Sequence, residues 1–521
     1  LQHRRRELRR ADHQDSLTRE LARSIIAVGF DGNRVEDALL AELRAFAPGA
    51  VILFARNTGP ADALRALVAE LRAGAPLPPL IAVDQEGGRV ARIGDAVAQL
   101  PAAMAVGAAD DVAACERLGM LLGRDLARLG ISVDFAPVAD CAHEPANTVI
   151  GTRAYGSDPL TVGRFAGAFA RGLETGGVAA ALKHFPGHGS TSVDSHLALP
   201  HVVLDEAAWR ARDLAPFAAA ISGDAAQIVM AAHVVVEALD PLLPASLSPR
   251  ILTGLLRDEL GFEGVACTDC LQMDAIAREP GTVAGAVAAL AAGADLLLVS
   301  HSLALAAEAA DAIVAAVETG TLPAARLREA AQRVRALRER YATLRPYGGE
   351  LDAVLPLAIA QRAVTVLRGD LRLREERAVT VISFEGETFD GAGGVRVERP
   401  SLSTALRARR WKSEVMRVAL DPDDDDVDLL LGHLPALGDR NFVITTRRAH
   451  LHPLQRRAVE RILAVIPDAT IVSCAEPYDA ELWPAARTVA CIYGDDALAF
   501  AGCADVLSGR ASANGRLPVP L

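Results

Sequence analysis

Eight short apolar runs rich in β-branched residues recur through the first 300 residues, at 24–30, 50–54, 80–84, 131–138, 178–183, 228–233, 264–269 and 295–300. Between them lie segments with helical periodicity, at 61–73, 110–129, 160–175, 206–221 and 249–260. The last opens with Ser248 and Pro249, a pair suited to a helix N-cap and first turn. Strands that alternate with helices pair in parallel, because each helix returns the chain to the same end of the sheet. A doubly wound sheet gives the same local signal, but eight strands with intervening helices is the count that closes a (β/α)8 barrel of the TIM type.

The barrel pattern stops at a definite place. An Arg/Glu/Ala/Leu-rich helix at 323–344 is followed by Pro346, Tyr347, Gly348 and Gly349, a strong chain break. Beyond it, strand-like runs at 379–384, 427–431, 442–445, 470–474 and 488–493 alternate with helical stretches such as 453–466, which predicts a smaller α/β/α sandwich. The division expected is an N-terminal arm at 1–20, a catalytic barrel at 21–344, a linker at 345–365 and the sandwich at 366–521. The acidic run Asp421 and Asp423 to Asp426 lacks the Gly and the Glu of a calcium loop, so it reads as a solvated loop. There is no internal repeat.

Composition excludes several classes. With 51% hydrophobic residues the chain has ample material for packed cores. A net charge of −12 opposes binding to nucleic acid or an anionic membrane. The run Arg4, Arg5, Arg6, Arg9 and Arg10 is too short to reverse that and reads as a solvated face. Seven scattered cysteines do not make a secreted disulfide framework. Cys267 and Cys270 have CxxC spacing but no second pair, so apolar packing is expected of them. No N-terminal apolar segment suggests export, and the most apolar later stretch, 282–300, contains Asp295. A cytoplasmic location is the expectation.

In a parallel α/β barrel, chemistry gathers where the strands end. Polar clusters follow the third strand (84–92), the fourth (Asp140, then 147–153), the fifth (183–196) and the seventh (Thr268, Asp269). Of 54 Lys and Arg residues only two are lysine, Lys183 and Lys412, which marks Lys183 as chemically required. A compact ammonium can bond two hydroxyls at a strand end where a planar guanidinium would be misplaced. The plainer alternative is that Lys183 pairs with a barrel carboxylate.

Three of the 12 histidines fall within 183–196. One reading makes His184, His188, His196 and Asp194 metal ligands, although Pro186 and Gly187 prevent the helix that would align the first two. A second makes the segment a Gly/Pro loop whose histidines bond backbone. A third pairs Asp194 with His196, the carboxylate orienting the imidazole as a general acid/base. Its partner would be Asp269, a candidate carboxylate nucleophile, for which the plain alternative is a helix cap. Asp84, Arg92, Arg153, Lys183 and His184 would form a polar ring suited to an uncharged, hydroxyl-rich substrate.

These residues resemble glycoside hydrolase family 3, in its β-N-acetylglucosaminidase branch. The segments 51–57 (VILFARN), 82–90 (AVDQEGGRV), 134–140 (DFAPVAD) and 183–196 (KHFPGHGSTSVDSH) are similar to family motifs and stand in family order. Cys267-Thr268-Asp269 and the closing 515–519 (GRLPV) also look like the family. The resemblance implies a retaining β-N-acetylglucosaminidase with Asp269 as nucleophile, Asp194 and His196 as acid/base dyad, and Asp84, Arg92, Arg153, Lys183 and His184 binding the sugar. Muropeptide or chitooligosaccharide fragments are the implied substrates, cell-wall recycling the implied role, and no metal or organic cofactor is expected. Because an imidazole does not repel an incoming anion as a glutamate would, phosphorolysis is the alternative. A non-catalytic sugar-binding barrel would require a missing nucleophile or dyad. Ser190 and Cys270 depart from the family pattern, which more often has an acidic residue before Thr191 and a small or acidic one after the nucleophile.

Overall fold

A computed structural model of the chain describes residues 15–191, 199–386 and 400–521. All eight expected strands form: β1 Ile26–Val28, β2 Ala50–Leu53, β3 Leu80–Val83, β4 Val133–Asp134, β5 Ala179–Phe185, β6 Ile228–Ala231, β7 Val265–Cys270 and β8 Leu296–Val299. Every neighbouring pair is parallel, and β1 pairs with both β2 and β8, which closes the barrel. Registers such as Val51 opposite Ile81 and Val28 opposite Val299 bring β-branched side chains into layers. Almost every strand residue is buried, as expected of strands covered on both faces.

The helices follow the pattern with two differences. Among them are α1 Ala61–Arg72, α2 Val112–Arg128 and α3 Pro159–Gly176. Asp111 caps α2 and Asp158 caps α3, whose first residue is a proline. The helix expected at 206–221 contains a π turn at Arg210–Leu214. Pro216 follows within it and has no N–H for the regular ladder. At 249–260 the Ser248 hydroxyl does not cap; it donates to Asp240 at 2.6 Å, and the Ser248 carbonyl accepts from Ile251 and Leu252. The apolar stretch 282–300 divides into a helix and β8, and among the described residues no helix is long and apolar enough to cross a membrane.

Residues 15–24 are helical, and Arg19 pairs with Asp311. After the last barrel helix, α4 Ala324–Arg340, the segment at 345–365 contains α5 Leu355–Ala363. The second unit is a six-stranded sheet: β9 Thr365–Arg368, β10 Val379–Glu385, β11 Ser413–Ala419, β12 Asn441–Thr446, β13 Thr470–Ser473 and β14 Thr488–Cys491. Their order is β9-β14-β13-β12-β10-β11, parallel except for β9. Alternation along β10 gives the sheet two buried faces. Val379 and Val381 pack with Leu402, Leu406, Phe500 and Cys503, while Ile382 and Phe384 face Val427, Leu430, Val459 and Ile462.

One expected strand is a helix. Residues 427–431 lie in α6 Asp424–His433, because Asp423 caps it and Val427 and Leu430 share its buried face. The acidic run is accordingly its cap and first turn rather than a loop, where carboxylates complement the helix dipole. The unnoticed β11 is an edge strand carrying Glu414 and Arg417 without an apolar run. The chain finally returns to the barrel: the Arg516 N–H donates to Ala108 O at 2.9 Å, and the Ser157 N–H donates to Pro518 O at 3.0 Å.

Candidate active site

A cavity of about 330 Å³ opens at the C-terminal ends of the barrel strands, within the size range of small-molecule sites. Asp84 follows β3, Arg92 follows the short ribbon after it, Arg153 ends a 3-10 turn after β4, Lys183 and His184 lie in β5, and Asp269 lies in β7. All six line the cavity. Asp194 and His196 lie outside the described residues. The polar rim faces an apolar wall that includes Phe54, Phe135, Met230 and Leu298.

Lys183 is 2% exposed, and its Nζ lies 2.6 Å from Asp84 Oδ1 and 2.7 Å from Glu86 Oε1. Burial alone would lower its pKa, but the two carboxylates hold it above the ordinary lysine value. Lys183 therefore does pair with barrel carboxylates, and it does so inside the cavity. Glu86 also receives Arg153 in a two-pronged contact, Nε to Oε2 at 2.8 Å and Nη2 to Oε1 at 2.7 Å. Burial pushes Glu86 up, yet Arg153 and Lys183 outweigh it and hold the carboxyl well below the usual range.

His184 is oriented by Asp140. Its Nδ1 is 2.7 Å from Asp140 Oδ2, and its backbone N–H donates to the same oxygen at 3.0 Å. The His188 N–H donates to Asp140 Oδ1 at 2.7 Å. Burial would raise the Asp140 pKa, but the two histidines reverse the sign and keep it low. An ionised Asp140 accepts the hydrogen bond of the His184 Nδ1–H, which leaves Nε2 to face Arg153 Nη2 at 3.3 Å. Burial drives His188 down to about 4, so it is neutral at pH 7, and its Nδ1 meets the Thr191 hydroxyl at 2.7 Å. This contact of the His188 ring is thus to a side-chain hydroxyl of its own loop. Among the described residues no group of three His, Cys, Asp or Glu side chains is placed to hold a metal ion.

The loop entering 192–198 is held from below. Ser190 Oγ donates to Asp213 Oδ2 at 2.7 Å, and its N–H donates to Oδ1 at 3.2 Å. Gly187 has φ of 118°, and a Cβ there would sit 2.5 Å from Asp213 Cβ. Asp269 Oδ1 accepts from the Cys270 N–H at 2.7 Å. Cys270 itself lines the cavity with its Sγ 3.0 Å from Ser300 Oγ, so apolar packing describes Cys267 but not Cys270.

Among the described residues the cavity mixes cations with carboxylates. Lys183, Arg153 and Arg92 face Asp84, Glu86 and Asp269, while a further cation, Arg56, pairs with Asp31 at 2.7 Å. Such a lining can grip a neutral polyol through charged donors and acceptors. Glu86 and Asp140 are the residues to which sequence reading gave no role. Glu86 had one signal, its position two residues beyond Asp84.

Residues 18–337 match the family described as "Glycosyl hydrolase family 3 N terminal domain". A beta-hexosaminidase of Stenotrophomonas maltophilia (strain K279a) is 42% identical over 259 residues, which is 48% of this chain and 76% of that protein. One from Pseudomonas aeruginosa (strain LESB58) is 42% identical over 268 residues, 50% of this chain and 78% of that protein. A solved family 3 beta-N-acetylglucosaminidase from Paenibacillus sp. str. FPU-7 superposes with a TM-score of 0.88 at 33% identity, covering 96% of this chain and 98% of that one.

Proposed function

The chain belongs to glycoside hydrolase family 3, and from that premise we propose that it is a retaining β-N-acetylglucosaminidase that removes terminal β-linked N-acetylglucosamine. The observation that carries this reading is one cavity at the strand ends that unites Asp269 with Asp84, Arg92, Arg153, Lys183 and His184. A carboxylate facing a ring of hydroxyl-binding groups is what double displacement at an anomeric carbon requires.

In the first step the Asp269 carboxylate attacks the anomeric carbon while His196 protonates the departing glycosidic oxygen. The C–O bond to the aglycone breaks as the ester to Asp269 forms. In the second step His196 takes a proton from water, the hydroxide attacks the same carbon, and Asp269 leaves as carboxylate. Asp194 orients the imidazole and supports the charged form that it holds before the first step and regains in the second. Lys183 and Asp84 bond ring hydroxyls, and Arg92, Arg153 and His184 bond the remaining hydroxyls and the acetamido carbonyl. The dyad roles rest on the motif at 183–196. Muropeptides with β-1,4-linked N-acetylglucosamine, as in cell-wall recycling, are the proposed natural substrates.

The test is release of 4-nitrophenol from its β-N-acetylglucosaminide and β-glucoside, with and without phosphate, with the sugar product identified by mass and its anomer by NMR. Free N-acetylglucosamine that appears first as the β anomer, at a rate independent of phosphate, is the expected result. A phosphate-dependent rate yielding N-acetylglucosamine 1-phosphate would make phosphorolysis the activity, and preference for the glucoside would overturn the substrate.

A further inference from the structure

We propose that Glu476, a residue of the second domain, is a positioning residue for the barrel's active site: it holds the turn that carries Arg153. This rests on the reading above, in which Arg153 binds the sugar. The turn Gly151–Arg153 ends a loop that begins at Asn147 and forms no strand or α-helix, so its peptide groups need partners from elsewhere. The barrel supplies some of them. Asn147 Oδ1 accepts from Val149 N and Ile150 N, and Arg89 Nη2 donates to Thr148 O, Val149 O and Ile150 O.

The turn itself is met from the other domain. Glu476 Oε1 accepts from the Thr152 N–H at 3.2 Å, although 324 residues separate the two. Gly151 has φ of 44°, and a Cβ there would lie 1.8 Å from that same oxygen, so the residue preceding Thr152 has no room for a side chain while Glu476 is in place. Arg448 fixes the carboxylate with Nε to Oε2 at 2.8 Å and Nη2 to Oε1 at 3.0 Å, and its Nη2 also reaches Thr148 O at 3.4 Å. Arg448 does so from a left-handed backbone, φ 50°, which non-glycine residues adopt mainly where surroundings enforce it. Nearby, His450 Nε2 lies 3.2 Å from Pro145 O, a second tether to the same stretch of chain.

Glu476 is 3% exposed; burial would push its carboxyl up, but Arg448 holds it at about 2, so it is a charged acceptor across the working pH range. One residue beyond Thr152, Arg153 makes its paired contact with Glu86 and its bond to Val149 O at 3.1 Å. Displacing Thr152 therefore displaces the guanidinium at the sugar. The second domain thereby supports the site although, among the described residues, none of its side chains lines the cavity.

Glu476→Ala and Glu476→Gln in the full chain test this. In Glu476→Ala, hydrogen exchange of peptides covering 147–153 is expected to rise at least about tenfold while that of the barrel strands is unchanged, and KM for the 4-nitrophenyl N-acetylglucosaminide to rise roughly tenfold with kcat within about threefold. Glu476→Gln keeps an acceptor for Thr152 and is expected to recover part of both. Gly151→Ala, which drives a methyl group onto Glu476, is expected to cost less in the Glu476→Ala background than in the wild type. Unchanged exchange at 147–153, or a lowered melting temperature with KM unchanged, would overturn the proposal and leave Glu476 an interface brace. A wild type that does not turn over the N-acetylglucosaminide would sink the functional reading instead, and the exchange measurement would still decide whether Glu476 holds the turn.

Discussion

Lys183 Nζ lies 2.6 Å from Asp84 Oδ1, with the lysine side chain 2% and the aspartate 20% exposed. The ammonium is thus committed on its inner side to Glu86 and on its outer side to a carboxylate that lines the cavity. Removing one partner of such a buried network leaves the other charges uncompensated, at a cost of about 3–5 kcal/mol. Lys183→Ala is expected to lower the melting temperature and to cut kcat/KM at least about 100-fold. Lys183→Arg is expected to fail similarly, since a planar fork cannot replace a compact ammonium between two carboxylates. Steady-state kinetics beside a melting curve checks both, and an Arg variant with wild-type kcat/KM would refute the role given to Lys183.

Asp269→Asn separates chemistry from structure. The amide oxygen can still accept from the Cys270 N–H, so the fold keeps its bond while the proposed nucleophile is lost. The expectation is a kcat lower by roughly a thousandfold or more with a melting temperature close to wild type. Residual turnover near the wild-type rate would exclude Asp269 as nucleophile.

Asp213 makes stability depend on pH. Burial raises its pKa from 3.8 to about 6 despite the Ser190 hydroxyl. The folded state therefore holds this proton more tightly than the unfolded chain, and that contribution is complete below about pH 4 and lost as the pH rises through about 6. Asp213→Asn cannot ionise, so its melting temperature relative to wild type is expected to climb between pH 4 and pH 7, by the equivalent of about 2–3 kcal/mol. Scanning fluorimetry across that range would expose a flat difference if Asp213 did not titrate.

Glu86 works in the opposite sense. Its depressed pKa contributes stability that is intact at neutral pH and withdrawn as acidification passes below the ordinary glutamate range. Glu86→Gln is expected to melt lower at pH 7, with the gap to wild type narrowing as the pH falls towards 3, and to raise KM because Arg153 loses its paired acceptor. Melting curves and KM values at several pH values check this, and a pH-independent gap would contradict it.

The barrel was legible because its strands are buried on both faces and so read as apolar runs; the six residues named above as lining the cavity could be picked out because each follows or ends such a run. The second domain was less so. Its edge strand β11 breaks up its apolar residues with exposed Glu414 and Arg417, and the apolarity of 427–431 in α6 is as compatible with a strand unless the capping aspartate at 423 is weighed with it. Glu86 could not be ranked above its neighbours, since its importance lies in where Arg153 and Lys183 arrive from two other loops. Glu476 is harder still, because only the folded chain brings residue 476 to residue 152.

The return of 516–518 to the barrel has a thermodynamic consequence. The sandwich is fastened where the chain enters it after α4 and again where Arg516 and Pro518 bond Ala108 and Ser157. Melting either unit breaks these hydrogen bonds of the other. In a calorimeter the two units are therefore expected to unfold as coupled transitions, and loss of residues 516–521 to draw those transitions apart.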